Sequence, residues 1–507
     1  MFDIPFYDID EEIENIYNFK NSAHLKCRDI YKIDAAHFRE LEEHAADNLA
    51  QKDYCIISTG GSTMLNTKSR NILRNNSIIV FLDADNDLLW GRMRIKGLPE
   101  FLETDDGRKK HEERNERLRS TVKIIADICI QIDKDEESGI HRRAAENICE
   151  YLAARSSNPN TIGEILRVTT FGESHGDAVG AVLDGIKSGI ELNEEDIQLE
   201  LNRRKPAQSI ISSERNEKDK VKILSGVFEG KTTGAPICLM VENTNQDSKV
   251  YEKFKNIFRP GHADFTFWKK FGLRDYRGGG RASGRETVAR TAAGAVAKKI
   301  LSEEFNISIT AFAEEIAGVR GEIEDLSFIE KNAVRSADPQ KWEQMQDAVL
   351  KAKSDGDSVG GIVKLIVKNL SAGIGDPVFG KLDSKLAGAV MSIGSVKGVE
   401  FGEGFLSARL TGKENNDEMA DGKFLSNHCG GILGGISNGE DIVMRIAVKP
   451  TPSILKKQLT ISEDGGNVEV SVAGQHDACI VPRIIPVIES MAALTILECI
   501  NINEALK

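Results

Sequence analysis

No Cys-x-x-Cys pair occurs anywhere in the 507 residues, and the eight cysteines are scattered without metal-ligand spacing. That leaves no zinc module and no disulfide framework to read, so no metal is expected. Reduced thiols in a cytoplasm are the simplest reading. A basic surplus is missing as well, since the formal net charge is −13. Nucleic acid is therefore not an expected partner. An anionic substrate would need a local basic pocket, because the overall charge would not steer it in. Long apolar runs are also absent. The longest, residues 484–500, is interrupted by Glu489 and Glu498; it reads as a buried helix, with no membrane partner implied. The start, MFDIPFYDID, is acidic and carries no cationic leader.

What is present concentrates between Arg259 and Thr291, in RPGHADFTFWKKFGLRDYRGGGRASGRETVART. His262, several arginines (Arg259, Arg274, Arg277, Arg281 and Arg285 among them) and the run Gly278–Gly280 share this one segment. Ser283 and Glu286 have capping-box spacing, which predicts a helix starting just after Ser283. Val288, Ala292, Val296 and Ile300 follow at i+4 steps and supply its apolar face. Unpaired N–H groups at a helix start, permissive glycines and forked guanidinium donors together suit a multiply charged anion.

Three parts emerge along the chain. Residues 1–152 alternate short apolar strands (54–58, 77–82) with a charged helix (38–49), which predicts a parallel α/β domain. Residues 153–161, AARSSNPNT, read as a polar linker. Residues 162–507 form the second domain. Its histidine, His175, stands between Gly172 and Gly176, and tight backbone on both sides fixes where the imidazole points. Arg203, Arg204, Lys205 and Arg215 form a basic cluster after a helix beginning near Glu195. Glycine is dense over 430–439, where the backbone can lie against a ligand. A hairpin is predicted over 460–472 around Asp464-Gly465-Gly466, followed by an apolar C-terminal helix over 487–500.

These residues carry two resemblances. In the first domain, FYDIDEEIE, FRELE, STGG and FLDAD are similar to shikimate kinases. That resemblance implies that Asp10, Arg39, Gly60 and Gly61 hold shikimate, with Asp8 near magnesium. The G-x-x-x-x-G-K-[ST] loop that cradles nucleotide phosphates occurs nowhere in the chain, and Leu98-Pro99 stand where the lid arginine is expected. Kinase activity is therefore not expected, and the domain reads as an incomplete P-loop-kinase-like remnant or as one with a truncated start.

From Gly163 onward, TTFGESHG, SGVFEGKTTGAPI, FRPGHAD, FGLRDYRGGGR, VKGVEFGEGF, GGISNG, VKPTPSI and HDACIVPR stand in the order and spacing of chorismate synthases. The resemblance implies an α+β fold with helices sandwiched between two antiparallel sheets, assembled as a homotetramer. It implies 1,4-elimination of phosphate from 5-enolpyruvylshikimate 3-phosphate with reduced FMN, and NADPH is a candidate reductant. By the same resemblance, His175 protonates the leaving phosphate, His262 protonates the flavin, and Asp477 acts as base. The flavin wall would be Arg281, Ala282, Ser283, Gly394, Ser395, Gly434, Lys449, Pro450, Thr451, Pro452, Ser453 and Gln475. Arg204, Lys205 and Arg285 would meet the substrate's anionic groups. Lys205, Ile210 and Gln475 replace family arginines, and each lost charge-assisted bond is worth about 1.5–3 kcal/mol. Two alternatives follow: a non-catalytic flavin-binding homologue or scaffold, and a bifunctional kinase–synthase with a truncated start.

Overall fold

The computed structural model describes residues 5–52, 55–60, 63–74, 77–96, 102–132, 159–212, 217–244, 249–472, 474 and 476–506. It divides into two units, Met1–Ser157 and Asn158–Lys507. Most of the stretch read as a linker, 153–161, lies outside the described residues, as do Gly61, Leu98, Pro99, Arg215 and Gln475.

In the first unit, Phe6–Asp8 pairs in parallel with Ile56–Ser58, and Val80–Ala84 pairs in parallel with Ile128–Ile132. Strand Val80–Ala84 begins three residues later than the 77–82 expectation. Helices Ile9–Asn21, Ala35–Ala50 and Gly107–Val122 accompany the strands. Ile9, Ile13, Leu41, Ala45 and Leu49 form its buried core.

The second unit is a sandwich. One antiparallel sheet has the order Thr161–Ile162, Arg167–Gly172, Ala178–Asp184, Ile237–Glu242, Val221–Ser225. The other runs Val319–Arg320, Ser308–Ile316, Gly361–Lys368, Ile442–Val448, Val396–Phe401. Each sheet turns one face inward. Val179, Ala181 and Leu183 alternate into the core from the first sheet, and Val363, Leu365 and Val367 from the second. Helices Thr287–Phe305 and Val481–Ala505 lie between the sheets. They approach closely because Gly294 has no side chain: a Cβ there would sit 2.2 Å from the Ser490 Cβ. Val481–Ala505 is the one described helix long and apolar enough to cross a membrane, and 94% of that apolar window is buried in the protein.

That helix carries Pro486 in its interior. A proline has no N–H for the carbonyl four residues earlier. Here that carbonyl, on Pro482, accepts from Arg335 Nη1 at 2.5 Å instead. Glu489, on the same helix, binds Arg203 (2.5 Å), Lys298 (2.7 Å) and the Ala311 N–H (2.9 Å). Burial pushes its carboxyl up, but Lys298 and Arg203 outweigh that and hold it at about 2.

The capping box expected at Ser283 does not form. Residues Gly284–Glu286 are a 3-10 turn, and the α-helix begins at Thr287. Ser283 Oγ accepts from the Arg285 N–H at 3.3 Å. Glu286 faces away from the cap because Arg290 (2.8 Å) and the Thr170 hydroxyl (3.0 Å) hold its carboxylate.

Candidate active site

His175 sits in the tight turn between strands Arg167–Gly172 and Ala178–Asp184 of the first sheet. It is buried, and its ring meets Tyr251 edge-on at 5.3 Å. His262 precedes the helix Asp264–Phe271. The glycine run lies against both rings. A Cβ on Gly278 would come within 2.7 Å of His175 Nε2, and one on Gly279 within 2.7 Å of His262 Cε1. Both glycines also have positive φ, 70° and 92°. Glycine therefore satisfies two requirements at each position, backbone conformation and close approach.

His262 Nδ1 lies 3.0 Å from Asp264 Oδ1 and 3.2 Å from Arg259 Nη2. An unprotonated Nδ1 would face the carboxylate lone pair to lone pair, so the tautomer that fits is Nδ1–H donating to Asp264. Nε2, 3.0 Å from where a Gly279 Cβ would stand, is then the ring nitrogen without a proton in the neutral imidazole. Arg259 holds the same carboxylate with two bonds, 2.7 and 2.9 Å. Burial raises the Asp264 carboxyl, but His262 and Arg259 outweigh it and hold it far below the carboxylate range. For His262 burial dominates and lowers the imidazole, with Asp264 pulling upward against it.

Asp477 is joined to the rest of the site through arginines. It pairs with Arg483 Nη1, and Arg483 Nε donates to the Arg204 carbonyl at 3.2 Å. Arg204 is buried and donates to Thr287 Oγ1 (3.1 Å), Asp219 (3.2 Å) and the Gly284 carbonyl (2.7 Å). Burial, with Arg483 nearby, pushes it down to about 10. Asp219 also pairs with Arg285 Nη1, which meets Glu217 at 2.5 Å. Arg285 Nε donates to Asn243 Oδ1 at 2.8 Å. Asn243 in turn donates to the Glu173 and Gly176 carbonyls beside His175, at 3.0 and 2.8 Å.

The remaining arginines of the Arg259–Thr291 stretch are framework too. Arg274 donates to the carbonyls of Phe254 and Ile257, and Arg277 pairs with Asp275. Arg281 donates to Thr170 Oγ1 at 2.7 Å and Asn160 Oδ1 at 3.0 Å. In the structure these guanidinium groups bond to backbone carbonyls, hydroxyls, an amide and a carboxylate.

Much of the expected flavin wall converges. Arg290 bonds Ser392 Oγ at 2.6 Å, and the Lys449 N–H donates to the Ser395 carbonyl at 2.9 Å. Lys449 Nζ reaches the Gly261 carbonyl at 2.7 Å, and a Cβ on Gly261 would meet the Pro452 Cβ at 3.2 Å. Ser358 Oγ donates to the Thr451 carbonyl (2.6 Å), and the Val359 N–H to the Ala478 carbonyl (2.8 Å), which brings the Asp477 loop alongside. Three features suit a flavin nucleotide there. Thr451 Oγ1 is buried with no hydrogen-bond partner among the described residues. Burial and then the Lys397 charge lower Lys449, an environment that welcomes a phosphate. Ser395 holds a φ of 77°, which a non-glycine residue adopts at a cost of about 1–3 kcal/mol.

Gly434 and Lys205 have other partners among the described residues. Gly434 is in a hairpin bonded to the segments around Leu382 and Ile374, as in Leu382 N–H to the Gly435 carbonyl at 2.8 Å and Ser437 N–H to the Ile374 carbonyl at 2.9 Å. Lys205 contacts Asn202 at 3.2 Å and lines a cavity of about 270 Å³ with Gln208, Arg335 and Arg483. Ile210 is 63% exposed. Sequence reasoning missed Arg483, Asp219, Glu217 and Asn243. Glu217 and Asp219 were legible only as acids close behind a basic cluster. Nothing local marked Asn243.

In the first unit, Arg39 pairs with Glu42 at 2.7 Å and Thr63 Oγ1 donates to Glu42 at 3.0 Å. A Cβ on Gly60 would be 2.6 Å from Asp10 Oδ1. Asp10, Arg39 and Gly60 thus share one cluster, and burial followed by Asp8 raises the Asp10 carboxyl. Asp8 caps the first helix, accepting from the Asp10 N–H at 2.8 Å. Among the described residues, no group of three or more His, Cys, Asp or Glu side chains could hold a metal.

Comparison with known proteins agrees with this geometry. Residues 166–500 match the chorismate synthase family, and residues 1–153 match the shikimate kinase family. Chorismate synthase of Archaeoglobus fulgidus is 53% identical over 349 residues, covering 67% of this chain and 96% of the relative. That of Maridesulfovibrio salexigens is 52% identical over 341 residues, covering 67% and 97%. A chorismate synthase crystal structure superposes with TM-score 0.54 at 32% identity, covering 68% of this chain and 93% of its own.

Proposed function

The chain belongs to the chorismate synthase family, with a shikimate kinase domain ahead of the synthase, and on that premise we propose a role for each residue of the connected site. The reaction is the 1,4-elimination of phosphate from 5-enolpyruvylshikimate 3-phosphate to give chorismate. The observation that carries the assignment is the unbroken path from Asp477 through Arg483, Arg204, Asp219, Arg285 and Asn243 to the His175 turn.

His175 donates a proton to the departing phosphate; an imidazole can do this near neutral pH. Arg285 and Arg204 set a positive frame for the substrate's anionic groups. His262, with Nδ1–H committed to Asp264, would serve the flavin side through Nε2, accepting a proton there as the neutral imidazole and returning it from the imidazolium. Asp477, aimed by Arg483, is the base. Residues 281–283, Gly394, Ser395 and Lys449–Ser453 would hold reduced FMN, which when bound would supply electron density for the elimination and take up the hydrogen. NADPH is the proposed reductant. We place the protein in the cytoplasm and as a homotetramer. Phe379, 96% exposed, and Phe405, 84% exposed, are apolar surface that further copies would cover.

The test is steady-state turnover of His175→Ala under anaerobic conditions with reduced FMN. We expect kcat to fall at least about 100-fold with the fold and FMN binding retained. An unchanged kcat would contradict the assignment of His175.

A further inference from the structure

We propose that Asn243 is a positioning residue that couples the proton donor to the substrate-facing arginine, so that the His175 turn and Arg285 are set by one side chain. Asn243 stands just past strand Ile237–Glu242, whose last residue pairs with Ala178. It therefore lies opposite the loop that carries His175. Its side-chain amide donates twice, to the Glu173 carbonyl at 3.0 Å and the Gly176 carbonyl at 2.8 Å. These are the peptide groups on either side of Ser174 and His175. The Asn243 backbone N–H donates to the Asp177 carbonyl at 2.9 Å. Three bonds thus pin residues 173–177 to the neighbouring strand. From the other end of the same amide, Oδ1 accepts from Arg285 Nε at 2.8 Å. Glu217 and Asp219 hold the Arg285 Nη1, so the Asn243 bond completes the fixing of the guanidinium plane. Among side chains of this length, only a carboxamide offers two donors at one atom and an acceptor at the other. Aspartate keeps the acceptor for Arg285 but turns a lone pair on two carbonyls. Alanine removes both functions.

The inference rests on His175 as the proton donor, so the experiment separates the two. Full-length Asn243→Asp, Asn243→Ala, His175→Ala and the Asn243→Asp/His175→Ala double variant are assayed anaerobically with reduced FMN and the enolpyruvyl substrate. FMN binding and melting temperature serve as fold controls. Displacing an aligned proton donor by about an ångström costs on the order of 100-fold. We therefore expect Asn243→Asp to lose about 100-fold in kcat with KM within about threefold. Asn243→Ala should lose a similar kcat and also raise KM about tenfold, as Arg285 loses its orienting bond. In the His175→Ala background, Asn243→Asp should cost nothing further, because the group it positions is gone. A kcat for Asn243→Asp within threefold of the parent, or a full multiplicative loss in the double variant, would overturn the proposal. Should aspartate prevent folding, an unchanged kcat in folded Asn243→Ala would do the same. If His175→Ala alone kept full turnover, the proton-donor reading would fail, and with it the His175 half of the coupling.

Discussion

Two adjacent glycines decide how closely the backbone packs against the two histidine rings. Gly278 faces His175 Nε2 and Gly279 faces the His262 ring, each with a backbone conformation that a side chain resists. Gly278→Ala should therefore push the His175 ring off its position and add strain of about 1–3 kcal/mol. The expected outcome is a folded protein with kcat reduced at least tenfold, read from the same anaerobic assay with melting temperature as control. An unaffected kcat would mean that the imidazole tolerates the displacement. The glycine run was visible in the sequence as a sign of close approach. Which two side chains it admits was not visible, because His175 and the glycines are about a hundred positions apart and meet through tertiary contacts such as Ser174 Oγ to the Arg277 carbonyl and Arg281 to Thr170.

Between elements, buried ion pairs register the layers. Glu489 on Val481–Ala505 reaches Arg203 at the end of helix Glu194–Arg204, Lys298 on Thr287–Phe305, and the backbone of strand Ser308–Ile316. Glu489→Gln would leave two cations without their shared carboxylate. It should cost about 3–5 kcal/mol in urea unfolding. The sign with pH follows from a folded pKa depressed from 4.5 to about 2. The contribution is complete above the unfolded glutamate range and is lost as pH falls from about 4.5 toward 2. Acid unfolding of Glu489→Gln should accordingly be flatter over that range than in the parent. A parallel curve would mean that other groups dominate. The 458–470 hairpin was legible from period-2 alternation and the buried C-terminal helix from its apolar run, whereas the sandwich came only from the family resemblance. The start of helix Thr287–Phe305 was not. Ser283 and Glu286 have cap spacing, but Arg290 and Thr170 compete for the glutamate. Glu489 looked like an interruption in an apolar run, whereas its partners come from three other elements. The helix also begins six residues before the expected 487, since the carbonyl that Pro486 cannot engage is taken by Arg335.

For the whole molecule, the two units divide the chemistry unevenly. The first keeps the Asp10, Arg39 and Gly60 cluster, but the sequence has no G-x-x-x-x-G-K-[ST] loop. Incubation with MgATP and shikimate should therefore yield no ADP, because nothing in the sequence replaces the backbone cradle that such transfer uses; sustained ADP formation would contradict this. Light scattering should give four times the 55.7 kDa chain mass if copies cover the Phe379 and Phe405 surface, and a monomer would remove the tetramer from the account. The second unit carries the central claim: this chain performs chorismate synthesis, with His175, His262 and Asp477 proposed as its proton-handling residues. The most direct measurement supplies reduced FMN and 5-enolpyruvylshikimate 3-phosphate anaerobically to the full chain and follows phosphate release together with chorismate absorbance. We expect the two signals to rise together in equal amounts. No turnover at millimolar substrate, with FMN still bound, would contradict the account.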